Sequence, residues 1–333
     1  MRFAAVINSE ASTLKTADLD GLATRLVERF SAAGHAIDID FTEGSGMEQS
    51  IREALASDDT DAVLAGGGDG TISMAAGILQ GTGKALAILP GGNMNLFARS
   101  LGIPLDLDAA IDALAFGHPR KADIAFANDR PFIHEFSLGL HPEMIEMRDQ
   151  QKFGSRLGKL VGGIRSLSRA ILRPPRVRVW LEDGDGERRP LVTPALAVSN
   201  NPLGEGHLPY ADRVDGGVLG VYIVHARTPA ELAAIAARIP AGSWASVPQM
   251  EVFTATSLRL TRRGRLKAAI DGEMVRIDSP VDVRIAPGTR PATICMEWQA
   301  PEKISLTTPA IAPPIACPPN SSGAVRPGHP CST

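Results

Sequence analysis

The sequence predicts an α/β domain built on a parallel sheet, followed by a mostly antiparallel β domain. Three observations carry this expectation. Strand-like and helix-like segments alternate from Phe3 to Leu101. A glycine run, Gly66-Gly67-Gly68-Asp69-Gly70-Thr71, joins one such strand to one such helix. After Asp123 the helical pattern gives way to short β-like segments separated by turn residues, the mark of an antiparallel β domain.

Taken in order, Phe3 to Asn8 is apolar and reads as a first strand; its apolar run is too short for a signal-peptide core. Leu19 to Ala33 carries apolar residues at helical spacing, and Gly34 ends it. Ala36 to Thr42 alternates as a strand does, and Met47 to Ser57 reads as a helix. Ala62 to Ala65 is a buried strand, Ile72 to Gln80 a helix, Ala85 to Leu89 a strand and Met94 to Leu101 a helix. Repeated strand–helix units form a parallel sheet covered by helices, and ligands bind such sheets at the carboxyl ends of the strands, where the glycine run lies. Further on, Phe132 to Leu138, Arg176 to Glu182, Ala195 to Asn200, Val218 to Val224, Ser257 to Thr261 and Leu266 to Ile270 read as strands. Helices interrupt them at Phe153 to Leu172 and near Pro229 to Ile239. From Pro301 the chain is rich in Pro, Ser and Thr, and residues 301–333 read as a disordered tail.

Composition narrows the classes. With 333 residues, 44% hydrophobic and 21% charged, the chain has room for two ordinary globular domains. Its formal net charge of −3 gives no general attraction to nucleic acid. No apolar run is long enough to span a bilayer. Cys295, Cys317 and Cys331 are odd in number and late in the chain; they make neither a disulfide framework nor a metal spacing, and a reducing cytosol is the simplest setting.

The glycine run carries the first functional reading. Glycines between a strand and a helix let the backbone turn sharply and approach a ligand, and N–H groups at the helix entrance attract phosphate oxygens. Asp69 stands where an acid reaches a phosphate-bound metal or orients the loop, and Thr71 is placed to cap the helix. The structural alternative is a tight turn with no ligand.

A second motif follows: Leu89-Pro90-Gly91-Gly92-Asn93-Met94-Asn95-Leu96-Phe97-Ala98-Arg99. Together with the Gly66 run it resembles the catalytic domain of the bacterial diacylglycerol kinase family, lipid kinases related to sphingosine kinases and more distantly to NAD kinases. The family pattern Pro-x-Gly-Thr-x-Asn, then Ala-Arg, is met by Pro90, Gly92, Asn95, Ala98 and Arg99, with Asn93 in place of Thr and Leu96 in place of a frequent Asp. The likeness continues through Lys121-Ala122-Asp123, Phe132 to Gly139, Asn200 to Gly206, Ala211 to Leu219, Ala269-Ile270-Asp271-Gly272-Glu273 and Pro287-Gly288, so that it covers residues 1–298. At the start, Asn8-Ser9-Glu10-Ala11-Ser12 departs from the family's Asn-Pro-x-Ser/Ala-Gly. The resemblance implies a doubly wound parallel α/β domain and a second, mostly antiparallel, β-sandwich-like domain, with the nucleotide in the cleft between them. On that reading residues 1–122 form the nucleotide-binding domain, 123–284 the β-rich lipid-substrate domain, and strands near 285–298 return to the first.

The implied chemistry is transfer of the γ-phosphate of ATP to a hydroxyl of a membrane lipid, diacylglycerol or a relative. Phosphoryl transfer needs positioning and charge neutralisation above all. Gly66, Gly67, Gly68, Gly70, Thr71 and Gly92 would line the phosphates. Asn8, Thr42 and Asn95 are side-chain candidates for nucleotide contact, although each alone also suits a turn or cap. Mg²⁺ would travel with ATP, held by phosphate oxygens, waters and Asp69. Locally, Asp-Gly between two β segments reads as a hairpin turn; the resemblance instead implies Asp271 as the general base, with Glu273 orienting it or meeting a metal-bound water. Asp123 and Asp215 are implied ligands of a second, structural Mg²⁺, with Asp212 as substitute where the family's paired aspartates become Asp215-Gly216-Gly217. The basic amphipathic stretch Lys152 to Arg178 suits an anionic membrane surface or a packed helix with a solvated face. The expected setting is cytoplasmic and peripheral at the inner membrane face; the expected partners are a lipid, that surface and a second copy of the chain, with no nucleic acid. The rivals are an NAD kinase and a nucleotide- or lipid-binding regulator without catalysis.

Overall fold

The computed structural model describes residues 1–149, 168, 171–184, 186–244, 246–286 and 294–297. Four parallel strands begin the chain: β1 (Arg2–Asn8), β2 (Ala36–Thr42), β3 (Ala62–Gly67) and β4 (Ala85–Pro90), in the spatial order β2-β1-β3-β4. Every residue of β3 and β4 is buried, as both faces of a parallel sheet require. The covering helices are α1 (Leu19–Ala32), α2 (Met47–Ala56), α3 (Asp69–Leu79), α4 (Leu96–Ser100) and α5 (Leu107–Phe116). α1 packs with α5 and α2 with α3, which makes two helical layers. Asp18 and Asp106 cap α1 and α5 by accepting from the N–H groups of Gly21 and Ala109. Phe3, Ile7, Leu22, Leu26, Phe30 and Leu64 fill the core at no measurable exposure.

After β5 (His118–Lys121) the chain builds two antiparallel sheets. One holds β6 (Ile124–Ala127), β7 (Arg130–Phe132), β9 (Val177–Asp183), β10 (Arg188–Thr193), β14 (Ser257–Thr261) and β17 (Val281–Ala286), in the order β10-β9-β14-β17-β6-β7. The other holds β8 (Glu135–Gly139), β11 (Ala195–Asn200), β12 (Leu219–Val224), β13 (Met250–Ala255), β15 (Leu266–Ile270) and β16 (Glu273–Ile277), in the order β13-β12-β11-β8-β15-β16. Inward residues of both, such as Val179, Leu260 and Val283 from the first and Phe136, Val198 and Ala268 from the second, share one core. The sheets are therefore a sandwich. Among the fully described elements, two helices flank it: α6 (Leu140–Asp149), which lies on β8, β15 and β16, and α7 (Pro229–Arg238), started by a Thr228–Glu231 capping box. The last strand, β18 (Ile294–Glu297), returns to the first sheet, parallel to β4 and antiparallel to β5.

Several elements differ from their expected bounds. The helix expected from Met94 begins at Leu96, because Asn95 holds a left-handed conformation (φ 50°) that no helix continues through. The strand expected over Phe132 to Leu138 is two strands, broken at Ile133–His134. Three N–H groups at and just after that break, those of Ile133, His134 and Glu135, serve Asp271. Helices α5 and α6 were not foreseen. The helix expected at 153–172 and the tail at 301–333 lie outside the described residues, apart from Ser168, Ile171 and Leu172, which are helical.

Candidate functional site

The register of the first sheet brings the predicted nucleotide residues to one edge. Asn8 pairs with Thr42, Ile7 with Gly66, and Gly67 with Pro90, all at the carboxyl ends of their strands. β1 lies between β2 and β3, so the direction of chain progression reverses there, and ligands of doubly wound sheets bind outside such a point.

Two glycine loops meet at this edge because neither has a Cβ. The Gly91 N–H donates to the Gly67 carbonyl at 2.8 Å. A Cβ on Gly92 would stand 2.6 Å from the Gly68 Cα, and one on Gly67 would strike Thr71 at 2.7 Å. Gly68 is the N-cap of α3 and supplies no side-chain cap; Thr71 lies inside the first turn, so the capping role expected of it is not taken up. The first turn of α3 thus presents backbone donors and the positive end of a helix dipole.

Asp69 locks the second loop in place. Its carboxylate accepts from the Asn95 N–H at 3.0 Å and the Leu96 N–H at 2.6 Å. Asn95 is buried, and its side chain is spent locally: Oδ1 accepts from the Gly92 N–H at 2.9 Å and Nδ2 donates to the Gly92 carbonyl at 2.8 Å. Asp69 and Asn95 therefore shape the loop. Asn8 is half-buried and accepts from the Glu10 N–H at 3.0 Å in an Asx turn. The Thr42 hydroxyl faces Gly46, the residue before α2.

Asp271 stands across from α3. It occupies a left-handed turn position (φ 46°) followed by Gly272 (φ 82°), and this two-residue turn joins β15 to β16. The turn and the site are one feature, since the hairpin aims the carboxylate. Its Oδ1 accepts from the His134 N–H (2.9 Å) and the Glu135 N–H (2.8 Å). Its Oδ2 accepts from the Ile133 N–H (2.9 Å) and the Ser73 hydroxyl (2.5 Å). Those four donors fill a carboxylate's lone-pair positions. Ser73, which sequence reasoning missed, lies one helical turn beyond Asp69 on the same face of α3; that i, i+4 spacing is the signal that could have found it. Glu273 differs from Asp271. It is exposed, its carboxylate makes no hydrogen bond among the described residues, and its Oε1 is 3.6 Å from where a Cβ on Gly70 would be.

A second ionisable cluster, also missed, lies beside this hairpin. His141 Nδ1 is 2.6 Å from Glu135 Oε1 and 2.8 Å from the Ser137 hydroxyl. Burial works against the Glu135 charge, but the hydrogen bond and charge of His141, with His134 and Ser137, bring its carboxyl down to about 2.

The two expected metal ligands are differently occupied. Asp123 is buried and accepts from the Gly217 N–H at 2.7 Å. Asp215 is held by Arg120 at 3.0 Å and Arg213 at 3.3 Å, and although burial opposes them these guanidinium groups keep its carboxyl below the usual value. Asp212 pairs with His207 at 2.9 Å. No group of three His, Cys, Asp or Glu side chains converges among the described residues. A carboxylate already compensated by two guanidinium groups does not fit the expected Mg²⁺ ligand. Gly216 has its own reason: a Cβ there would meet Asn201 Oδ1 at 2.7 Å, and that oxygen already accepts from the Gly216 N–H.

Comparison with known proteins agrees with this architecture. An uncharacterized protein of Synechocystis is 25% identical over 240 residues, spanning 68% of this chain and 53% of that relative. A protein named diacylglycerol kinase from Staphylococcus epidermidis is 26% identical over 248 residues, 74% of this chain and 78% of the relative. The crystal structure of a diacylglycerol kinase from Bacillus anthracis superposes with a TM-score of 0.63, covering 86% of this chain and 94% of that one, and at 18% identity it establishes the fold. The diacylglycerol kinase catalytic domain matches residues 2–127, and the YegS C-terminal NAD kinase beta sandwich-like domain matches residues 153–291. Carrying both domains in order, the chain belongs to the diacylglycerol kinase catalytic-domain family.

Proposed function

We propose that the chain is an ATP-dependent lipid kinase that transfers the γ-phosphoryl group to a hydroxyl of a membrane lipid of the diacylglycerol class. The observation that carries this reading is the opposition of two features. On one side are the paired glycine loops, fixed by Asp69, with the uncapped start of α3. On the other are the Asp271 and Glu273 carboxylates of one hairpin. Backbone donors and a helix N-terminus suit phosphate oxygens, and a carboxylate suits the proton that an attacking hydroxyl must lose.

The roles divide by what each group already holds. Asp69 and Asn95 position the loop. Three of Asp271's four donors are backbone N–H groups fixed by the fold, and the fourth is the Ser73 hydroxyl. On this reading the acceptor hydroxyl takes the Ser73 place at Oδ2, where its proton passes to Asp271 as the oxygen attacks the γ-phosphorus, the bond to the β,γ-bridging oxygen breaks and ADP leaves. Glu273, exposed and unengaged beside Gly70, fits the carboxylate ligand of the Mg²⁺ that accompanies ATP, which would neutralise phosphate charge.

The test is incubation of the purified chain with labelled ATP and a panel of glycerolipids, long-chain bases and NAD, followed by identification of the labelled product. A phosphorylated lipid is the expected result. Labelled NAD would reassign the acceptor, and no labelled product would leave a nucleotide-binding regulator.

A further inference from the structure

We infer that the outer face of the β10-β9-β14 sheet is a docking surface for an anionic lipid bilayer. The inference deepens the lipid-kinase reading and rests on it for its purpose, because the acceptor of such an enzyme stays in the membrane.

Residues of these strands alternate cleanly between core and solvent. Val179, Leu181 and Leu191 point into the sandwich, while Arg178, Trp180, Arg188, Pro190 and Val192 point out. The cross-strand register sets Pro190 opposite Trp180 and Val192 opposite Arg178. Trp180 is 45% exposed and Val192 58%, among the largest apolar exposures of the described residues. Val192 and Trp180 are thus diagonal neighbours on one face, with Pro190 between them on β10, and this exposed apolar area is the kind that a binding surface covers. The Arg188 guanidinium lies 4.9 Å from the Trp180 ring centroid, so the indole is flanked by a cation.

Charge selects the occupant. The same outer face carries Arg259 and Arg284 from the next strands, four guanidinium groups with Arg178 and Arg188, against the two carboxylates Glu182 and Asp282. Arg259 is spent on Asp282 at 2.5 and 3.0 Å, while Arg178 has no ion pair among the described residues. The face is thus positive on a chain whose formal charge is −3. A positive face around an exposed indole matches the lipid–water interface, where Trp sits at headgroup level and Arg stems reach up to phosphates. The chain also enters β9 from Leu172, 68% exposed, and Arg173, which repeat the same pairing of apolar and cationic groups.

The experiment measures binding of the full chain to phosphatidylglycerol and phosphatidylcholine vesicles at low and high salt, beside an Arg178→Ala/Arg188→Ala variant. At about 5-fold per guanidinium, the double variant should bind phosphatidylglycerol vesicles about 30-fold more weakly. Both residues are exposed, so its melting curve should match the parent's. A second readout needs no charge change: acyl-brominated lipid should quench the fluorescence of the parent but much less that of Trp180→Phe. Equal vesicle affinity in the double variant, no binding to either vesicle, or quenching unchanged in Trp180→Phe overturns the inference; the face would then serve a protein partner or none. Phosphorylation of detergent-dispersed lipid by both proteins separates the two claims. Vesicle binding without any phosphorylation sinks the kinase reading alone. Phosphorylation with unaltered vesicle binding in the variant sinks the docking face alone.

Discussion

At the scale of single residues, the site works by committing almost every polar atom to holding a loop. Asp271 shows the consequence. Asn in its place suits the left-handed turn equally well, yet its NH₂ would face the buried Ile133 N–H. Leaving that donor unmatched costs about 1–3 kcal/mol. Asp271→Asn should therefore lower Tm by several degrees and, if Asp271 is the base, cut kcat by ~10²–10⁴-fold. Glu273→Gln, at an exposed and unengaged position, should leave Tm unchanged while weakening the dependence of rate on Mg²⁺. A folded Asp271→Asn chain with parental kcat would transfer the base to Glu273, whose lone pairs are free. Gly92→Ala tests the close approach of the two loops. Its methyl would stand 2.6 Å from the Gly68 Cα, which is backbone and cannot swing aside. Overpacking of this kind costs about 1–3 kcal/mol. On the kinase reading the displaced loop is the one that would meet phosphate, so ATP affinity measured by calorimetry should fall much further than stability; parental affinity would show that the loops need not touch.

At the scale of elements, the sequence was legible wherever a local rule decided the outcome. The parallel strands β1 to β4 and the glycine turn follow from apolar runs, glycines and spacing alone. The helix start at Leu96 was misplaced because Asn95 adopts its left-handed conformation for a bond to Gly92, three residues back in the loop. The break at Ile133–His134 was invisible because its cause, the Asp271 carboxylate, is 138 residues away along the chain. Ser73 escaped notice for the same reason, since its partner lies 198 residues on. The β8–α6 corner offers a prediction at this scale. Glu135 is held at about 2 in the folded chain against an ordinary value of 4.5. A carboxyl depressed by folding contributes stability that is present above its unfolded value and lost as pH falls through the folded one. That contribution, on the order of 3 kcal/mol, should be nearly complete above about pH 5 and mostly gone near pH 2. Glu135→Gln should remove this part of the acid slope in denaturation midpoints measured between those limits. An unchanged slope would mean that His141 does not hold the acid.

At the scale of the whole molecule, hydrogen bonds tie the α/β layer to the sandwich. The Ser73–Asp271 bond links α3 to the sandwich hairpin, and Asn200 Nδ2 donates to the Asp123 carbonyl at 2.7 Å where the chain passes from one domain to the next. The chain then closes on itself: β18 leaves the sandwich region and inserts between β4 and β5, so the first sheet is finished only by residues 294–297. Two truncations separate the consequences. Residues 301–333 lie beyond both family domains, which end at residue 291, and beyond β18. A chain stopped after Ala300 should therefore melt as the full chain does and, on the kinase reading, turn over lipid equally. A chain stopped after Ala286 keeps every strand of the sandwich but loses β18. The backbone of β4 would then become an open edge and β5 would lose its strand partner in the sheet. An internal strand contributes a ladder on each side, and exposed edges pair with other chains. The shorter truncation should consequently melt far lower and aggregate in light-scattering assays, even though the residues of the glycine loops and of Asp271 are all retained. Equal melting of the two truncated chains would show that the first sheet is stable as the four strands β2-β1-β3-β4, and that the return of the chain is connectivity alone.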